Sequence, residues 1–368
     1  MYYKFRHLLK IIGINLVLLI LGLAILELIF GSWIFQKEIN QLVIIKNKVV
    51  RFDIENVYPS EYKTAKYTRD HFGLRGEYLN IDSINIFTVG GSTTDQHYIS
   101  DGYTWQDVLQ NNFINDNKLV YVVNAGVDGQ STYGHLKNFD YWFSEIPNLK
   151  PDYFLFYIGV NDFYKNAEKD QDKIQNEQKN FINKIKSNIK NRSATYSAYQ
   201  IIRNIFYAYE FGLLHNSAHK YQEFSTQNWT SDAYNSGYKE ILKDRLLSYE
   251  ERIYSLIDKV KSYDAKPIFV TQSRRRDYDF IDGTLIGRPK LADMDGFKYN
   301  SVDYYYMIRL YHASLEKICI ENDAIFIDLD AELKFDIKND FYDSMHNTPS
   351  GAKKIGDFLY TKLVDLYK

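Results

Sequence analysis

"INIFTVGGSTTDQHYIS", residues 84–100, runs from an apolar, β-branched stretch straight into Gly-Gly-Ser-Thr-Thr, and the reading of that corner decides the fold. The apolar run is too short for a helix and lacks the polar alternation of a half-exposed strand, so it predicts a strand buried on both faces. Three meanings are open for the serine that follows: a nucleophile, the lip of a phosphate-binding loop, or a tight turn without chemistry. Neither Gly-x-x-x-x-Gly-Lys nor Gly-x-Gly-x-x-Gly follows the strand, which disfavours the phosphate loop.

Working outward, four more runs of the same kind recur: "LVYVVN" (119–124), "YFLFYI" (153–158), "PIFVT" (267–271) and "AIFIDL" (324–329). Helical patterns lie between them. "YEERIYSLIDKVKSY" sets Ile253, Leu256, Ile257 and Val260 on one face, and "YMIRLYHASLEKICIEN" does the same with Ile308, Tyr311, Leu315 and Ile318. Strands alternating with helices predict a doubly wound α/β sandwich with a five-stranded parallel sheet, whose ligands bind at the carboxyl ends of the strands. The polar stretch "KNAEKDQDKIQNEQKNFINKIKSNIKNR" and the apolar stripe after it interrupt the rhythm and predict an inserted helical subdomain over residues 165–245.

The N-terminal run "IIGINLVLLILGLAILELIF", residues 11–30, has only Asn15 and Glu27 strongly polar. At about 1.5 Å per residue such a helix spans roughly 30 Å, the thickness of a bilayer core. Bulky residues follow where a signal peptide would carry a small-residue cleavage site, so an uncleaved anchor over residues 1–36 is expected. Lys4, Arg6 and Lys10 precede the helix and only Lys37 follows closely, which predicts a single-pass protein whose body is periplasmic or extracellular. Residues 37–80 read as a stem and residues 81–368 as the main domain. The formal charge of -2 is spread over the chain and offers no basic patch, so no nucleic-acid partner is expected. A single cysteine, Cys319, excludes an intramolecular disulfide framework and falls among apolar neighbours, as buried filler does.

The strand ends carry the chemistry. After the second strand comes "NAGVDGQST", with Asn124, Gly126 and Gly129; after the third, "GVND", with Asn161 and Asp162; after the last, "DSMHNTPSGAKKIGDFL", with Asp343 and His346 leading into a helix. A serine hydroxyl needs an adjacent base, which a histidine supplies, and that imidazole must be held in one tautomer by a carboxylate. Asp343 and His346 are close enough for one turn to let them meet. The oxyanion of acyl chemistry needs pre-aimed donors, for which the Ser92 N–H, the Gly129 N–H and the Asn161 side-chain amide are the candidates. His97 and His135 are rival bases; the first lies in the segment leading away from Ser92 and the second lacks a carboxylate at short spacing. Asp162 reads as support for the Asn161 loop. Arg274, Arg275 and Arg276 follow the fourth strand, where they form either a structural cluster or a site for an anionic substrate group. No metal-ligand spacing or nucleotide fingerprint implies a cofactor.

Taken together these blocks resemble the SGNH, or GDSL, hydrolases, over roughly residues 84–165 and 265–368. The resemblance implies a flavodoxin-like three-layer α/β/α sandwich with Ser92 as nucleophile, His346 as base, Asp343 as its orienter, and Ser92, Gly129 and Asn161 as the oxyanion hole. One departure is visible, since the family's Gly-Asp-Ser-Leu reads Gly-Gly-Ser-Thr here. The anchor and "YTRDHFGLRGEYLN" before the first strand resemble membrane-anchored relatives associated with bacterial envelope polysaccharides. The expected activity is removal of acetyl or other short acyl groups from an acylated envelope glycan. An O-acyltransferase with the same triad, or a non-catalytic glycan-binding protein on the same fold, are the alternatives.

Overall fold

The computed structural model describes residues 2–30, 44–164, 193–196, 198–199, 202, 228–294 and 296–368, and the chain divides into two units. Residues 1–41 and 173–214 form the first, residues 42–172 and 215–368 the second. Residues 31–43, the junction of anchor and stem, and most of the expected 165–245 insertion lie outside the described residues.

In the first unit α1 spans Tyr2–Phe30, and its 21 residues Lys10–Phe30 are long and apolar enough to cross a membrane or to serve as a signal sequence. The Glu27 carboxylate accepts from the Ser193 hydroxyl at 2.7 Å and from the N–H groups of Ala194 and Thr195 at 2.9 and 3.0 Å. A helical turn opens at Ala194, and its first N–H groups have no acceptor within the turn. Glu27 satisfies them from a distant part of the chain, as an N-cap side chain does locally.

The second unit opens with an antiparallel hairpin of β1 (Lys48–Asp53) and β2 (Thr64–Arg69). It continues through β3 (Ile84–Gly90), α2 (Trp105–Asn115), β4 (Tyr121–Asn124), α3 (Thr132–Tyr141) and β5 (Tyr153–Ile158). After the insertion come α4 (Lys243–Lys261) and β6 (Lys266–Thr271), then two small hairpins, β7 (Tyr278–Ile281) with β8 (Thr284–Gly287) and β9 (Ala292–Met294) with β10 (Phe297–Tyr299). The chain closes with α5 (Ser301–Glu321), β11 (Ile325–Ile327) and α6 (Pro349–Leu363).

Five parallel strands make the central sheet in the order β11-β6-β5-β3-β4. Counted along the core this is the flavodoxin order, 2-1-3-4-5, with the switch point between β3 and β5. Each strand alternates its side chains between two cores. Phe87, Val89, Phe154, Phe156 and Phe269 meet α3, α4 and α5 on one side, while Ile86, Val122, Leu155, Ile268 and Val270 meet α2 and α6 on the other. Burial on both faces is why these runs carry no polar alternation. Ile253, Leu256, Ile257 and Val260 of α4 and Ile308, Tyr311, Leu315 and Ile318 of α5 are buried as their spacing requires, and Cys319 is buried beside them, its thiol pushed up to about 12 by burial.

Within the expected stem of residues 37–80, the β1–β2 hairpin packs its inward face on the turn that carries Ser92. In β2 the pattern Thr-Ala-Lys-Tyr-Thr-Arg alternates outward and inward, and Ala65, Tyr67 and Arg69 are buried. A charged residue on the inward face of a strand needs a partner there, and Arg69 finds it in Asp95, one helical turn beyond Ser92. The Asp95 carboxylate also accepts from the Tyr67 hydroxyl at 2.8 Å and pairs with His97 at 2.6 Å. Burial works against its charge, but the adjoining Arg69 guanidinium and His97 outweigh that and hold Asp95 well below the usual carboxylate range. Arg69 reaches on to the carbonyls of Gly73, Asn124 and Gly126. Arg75 donates to the carbonyls of Asp95, Gln96 and Ile99. The hairpin is thereby stitched to the turn that carries Ser92.

The small hairpins β7–β8 and β9–β10 are absent from the sequence reading, although "IDGT" was a legible signal. Asp282 and Gly283 both adopt positive φ, 49° and 78°, as Asp-Gly does in a two-residue hairpin turn.

Replacing Arg69 by Met leaves Asp95 buried without its principal counter-charge and is expected to cost about 3–5 kcal/mol of stability. Denaturant unfolding of the full chain in detergent, followed by tryptophan fluorescence, checks this. A loss below about 1 kcal/mol, the size expected of an exposed pair, would contradict it.

Candidate active site

Ser92 sits at the first position of a single helical turn, Ser92–Asp95, directly after β3. Every carbonyl of that turn's far side is occupied. Trp105 Nε1 donates to Thr93 O at 3.2 Å, Gln106 and Asn124 side-chain amides to Thr94 O at 3.0 and 2.7 Å, and Arg75 to Asp95 O at 2.7 Å. The serine is held by bonds from α2, β2–β3 and the end of β4, so its hydroxyl has a fixed origin.

His346 comes from the other end of the chain. The Asp343 carboxylate builds the turn that delivers it: one oxygen accepts from the N–H groups of Met345 and His346, both at 2.7 Å, in an Asx-type turn. The second oxygen accepts from His346 Nδ1 at 2.7 Å. An ionised carboxylate can only accept, so Nδ1 carries the proton and Nε2 is the acceptor. His346 Nε2 lies 2.7 Å from Ser92 Oγ. Two residues on, Thr348 caps α6 and Pro349 occupies its first turn, which fixes where the loop must end.

All three side chains are more than nine-tenths buried. Burial disfavours the charged form of both partners, yet the attraction between them and their hydrogen bond outweigh it. The Asp343 carboxyl is held below its ordinary value and the His346 imidazole above its own, with Asp128 adding a smaller push on the histidine. The Tyr342 ring stacks on the imidazole at 5.6 Å and 12°, closing one face of it.

The three expected oxyanion donors gather on this edge. Among the described residues neither the Ser92 N–H nor the Gly129 N–H has an acceptor within the protein. Gly129 adopts a φ of 72°, which favours glycine there. Asn161 Nδ2 spends one hydrogen on Gln130 O at 2.7 Å, and an amide has a second to offer. Asp162 clamps the two loops together. It accepts from the Thr132 N–H and hydroxyl at 3.2 and 2.5 Å and pairs with Arg252 at 3.4 Å.

The Gly-Gly-Ser spelling has a steric reason. A Cβ on Gly91 would lie 2.5 Å from Asn161 Nδ2 and 2.9 Å from Gln130 O, so the place of the family's Asp side chain is occupied by the Asn161 amide and the Gln130 backbone.

The rival histidines are otherwise engaged. His97 pairs with Asp95 and stacks on Phe52 at 5.4 Å, and His135 is buried with Nδ1 3.4 Å from Gln130 Oε1. Arg274 is spent on Tyr164 and Asp277 and lies over the Tyr304 ring at 4.6 Å. Arg275 donates its backbone N–H to Ser344 O in the Asp343–His346 turn, and Arg276 pairs with Asp330. Arg274 and Arg276 also border a 310 Å³ cavity with Lys334. Sequence reasoning missed Arg69, Arg75 and Asp95. Their partners are distant in the chain, and the one available signal was two arginines at inward strand and loop positions of "YTRDHFGLRG".

Gly91→Ala must displace the Asn161 amide or the 130–131 backbone and is expected to cost about 1–3 kcal/mol, as overpacking does. A thermal melt matching the parent protein's would show that the neighbouring loops can yield.

Residues 86–359, most of the chain, match the GDSL-like lipase/acylhydrolase family. No curated protein matches the chain. Among solved structures it is similar to the lipase/acylhydrolase from Enterococcus faecalis, at 13% identity over 77% of this chain and 98% of that one, with a TM-score of 0.41. It is also similar to the acetyl xylan esterase AlAXEase, at 15% identity over 76% and 100% with a TM-score of 0.42. A GDSL-like lipase from Bacteroides thetaiotaomicron follows at 12% identity over 79% and 92%, TM-score 0.38. The span of the family match decides the family: this chain belongs to the GDSL-like lipases and acylhydrolases.

Proposed function

We propose that the protein is a membrane-anchored serine esterase that removes acetyl or other short acyl groups from a cell-envelope glycan. The observation that carries the esterase reading is the unbroken line from Asp343 through His346 to Ser92 Oγ, with 2.7 Å at both links. His346 Nε2 takes the proton from Ser92 Oγ as the oxygen bonds to the ester carbonyl carbon. The developing oxyanion receives the Ser92 and Gly129 N–H groups and the second Asn161 hydrogen. The bond between the carbonyl carbon and the sugar oxygen breaks, and the imidazolium gives its proton to that departing oxygen, which leaves as the free sugar hydroxyl. Water repeats the sequence on the acyl-enzyme, releasing the carboxylic acid and restoring Ser92. Asp343 stays ionised throughout and stabilises the imidazolium. The apolar Lys10–Phe30 helix supports an envelope location, and the polyhydroxylated substrate is the reading the sequence resemblance favours.

The full chain in detergent is expected to hydrolyse 4-nitrophenyl acetate, and Ser92→Ala to lower kcat by about 10³-fold or more. Asn161→Ala is expected to cost about 10²–10³, the usual loss of one oxyanion donor. Equal turnover by Ser92→Ala and the parent removes the nucleophile assignment. Faster ester consumption on adding an oligosaccharide, with acyl groups recovered on that sugar, would make the enzyme an O-acyltransferase instead.

The pH profile follows from His346. Only its neutral form accepts the serine proton, and a raised pKa keeps the protonated form to higher pH. The acid limb of kcat/KM is therefore expected to have its midpoint above about 6.5, the ordinary histidine value. A midpoint at or below that value would contradict the assignment of His346 as base.

A further inference from the structure

Behind the aromatic wall that closes the catalytic histidine lies a cavity of 930 Å³, bordered by the β1–β2 hairpin, the loop at 100–103 and the segment 338–350. The wall is continuous. Tyr342 stacks on His346, Tyr58 packs on Tyr342 at 6.0 Å, and Tyr58 itself borders the cavity. The hairpin and its loop precede residue 86 and so lie outside the matched family span.

The cavity's charges are unbalanced. Arg51, Lys66 and Lys338 all border it, and among the described residues none has an acidic partner. Of the two bordering carboxylates, Asp101 is taken by Arg75 and Thr68, which leaves Glu61 alone against three cations. Moreover Arg51 and Lys66 are direct partners in the antiparallel register, so two like charges stand opposite one another on the same hairpin. Such a pair costs stability, and an anion between the side chains relieves it. Beside the cations stand two broad aromatic faces open to solvent, Tyr62 at 66% and Tyr103 at 55% exposure. Tyrosine rings carry a large amphipathic surface suited to the apolar face of a sugar ring.

We infer that this cavity is a binding site for an acidic oligosaccharide, its carboxylate or phosphate groups held by Arg51, Lys66 and Lys338 and its rings laid on Tyr62 and Tyr103. The substrate class of the neighbouring esterase is then an anionic glycan long enough to run from this cavity around the edge of the Tyr58–Tyr342 wall to Ser92; this last step alone rests on the esterase reading. A bilayer surface carries the same charge but is flat and has no means of entering a cavity, which favours the glycan over anionic lipid.

The test uses the full chain in detergent with the Ser92→Ala substitution, titrated calorimetrically with hexagalacturonate and with maltohexaose as a neutral hexamer of similar length. Hexagalacturonate is expected to bind at least tenfold more tightly, and R51Q/K66Q to weaken it about tenfold. The melting temperature of R51Q/K66Q is expected to be unchanged or higher, because a like-charge pair has been removed. Tyr62→Ala with Tyr103→Ala is expected to weaken both hexamers. Equal affinity for the two hexamers, or unaltered hexagalacturonate binding by R51Q/K66Q, overturns the proposal. So does hexagalacturonate binding that vesicles of phosphatidylglycerol displace while maltohexaose does not, since the cations would then belong to a lipid surface. Turnover of 4-nitrophenyl acetate by R51Q/K66Q on the Ser92 background is expected to match the parent, so a failed esterase and a failed glycan site give different results.

Discussion

The Asp95 carboxylate, buried one turn beyond Ser92, is the constraint on which the rest of the active-site edge depends. A buried charge must be answered, and the answer comes from Arg69 on the hairpin, Tyr67 beside it and His97. Because Arg69 also holds the Asn124 and Gly126 carbonyls, the same guanidinium joins the loop after β3 to the loop after β4. Asp162 performs the corresponding service between the loops after β4 and β5. The candidate oxyanion donors Ser92, Gly129 and Asn161 therefore sit in loops whose mutual placement is held by two buried carboxylates, Asp95 and Asp162. This is pre-organisation in its ordinary sense, in which the cost of aligning donors is met on folding and not during the reaction.

At the base, one residue does two jobs with two oxygens. One Asp343 oxygen folds the turn and the other fixes the imidazole, so the geometry of the pair does not rely on a separate scaffold. The stack of Tyr342 on His346 excludes water from one face and passes the position of the histidine outward to Tyr58 and the hairpin.

The sheet was legible because its strands are buried on both faces, which leaves mostly apolar runs, and because three of them, β3, β4 and β5, end in glycine-bearing polar loops. The boundaries of β3, β5 and β6 fall within a residue of the runs read from the sequence. Ser92, Asp343 and His346 were legible as residue types at strand ends, and the structure brings the three into one hydrogen-bonded line. What escaped were features whose meaning is a distant partner. Arg69 and Arg75 look like any surface cations until Asp95 and the carbonyls of the nucleophile turn are placed beside them. The period-two pattern of β2 was present but short, and the Asp-Gly turn at 282–283 marked a hairpin that apolar periodicity alone does not show. Gly91 read as a missing aspartate, whereas the space it leaves is filled by Asn161.

The hairpin also separates two boundaries that are easily taken for one. The recognisable family span begins at residue 86, yet the guanidiniums that answer Asp95 and tie down the Ser92 turn sit at residues 69 and 75. The part of the chain that records common descent is thus smaller than the part that folds. A fragment trimmed to the former would keep Ser92, Asp343 and His346 and still expose a carboxylate shaped for a partner left behind on the discarded piece.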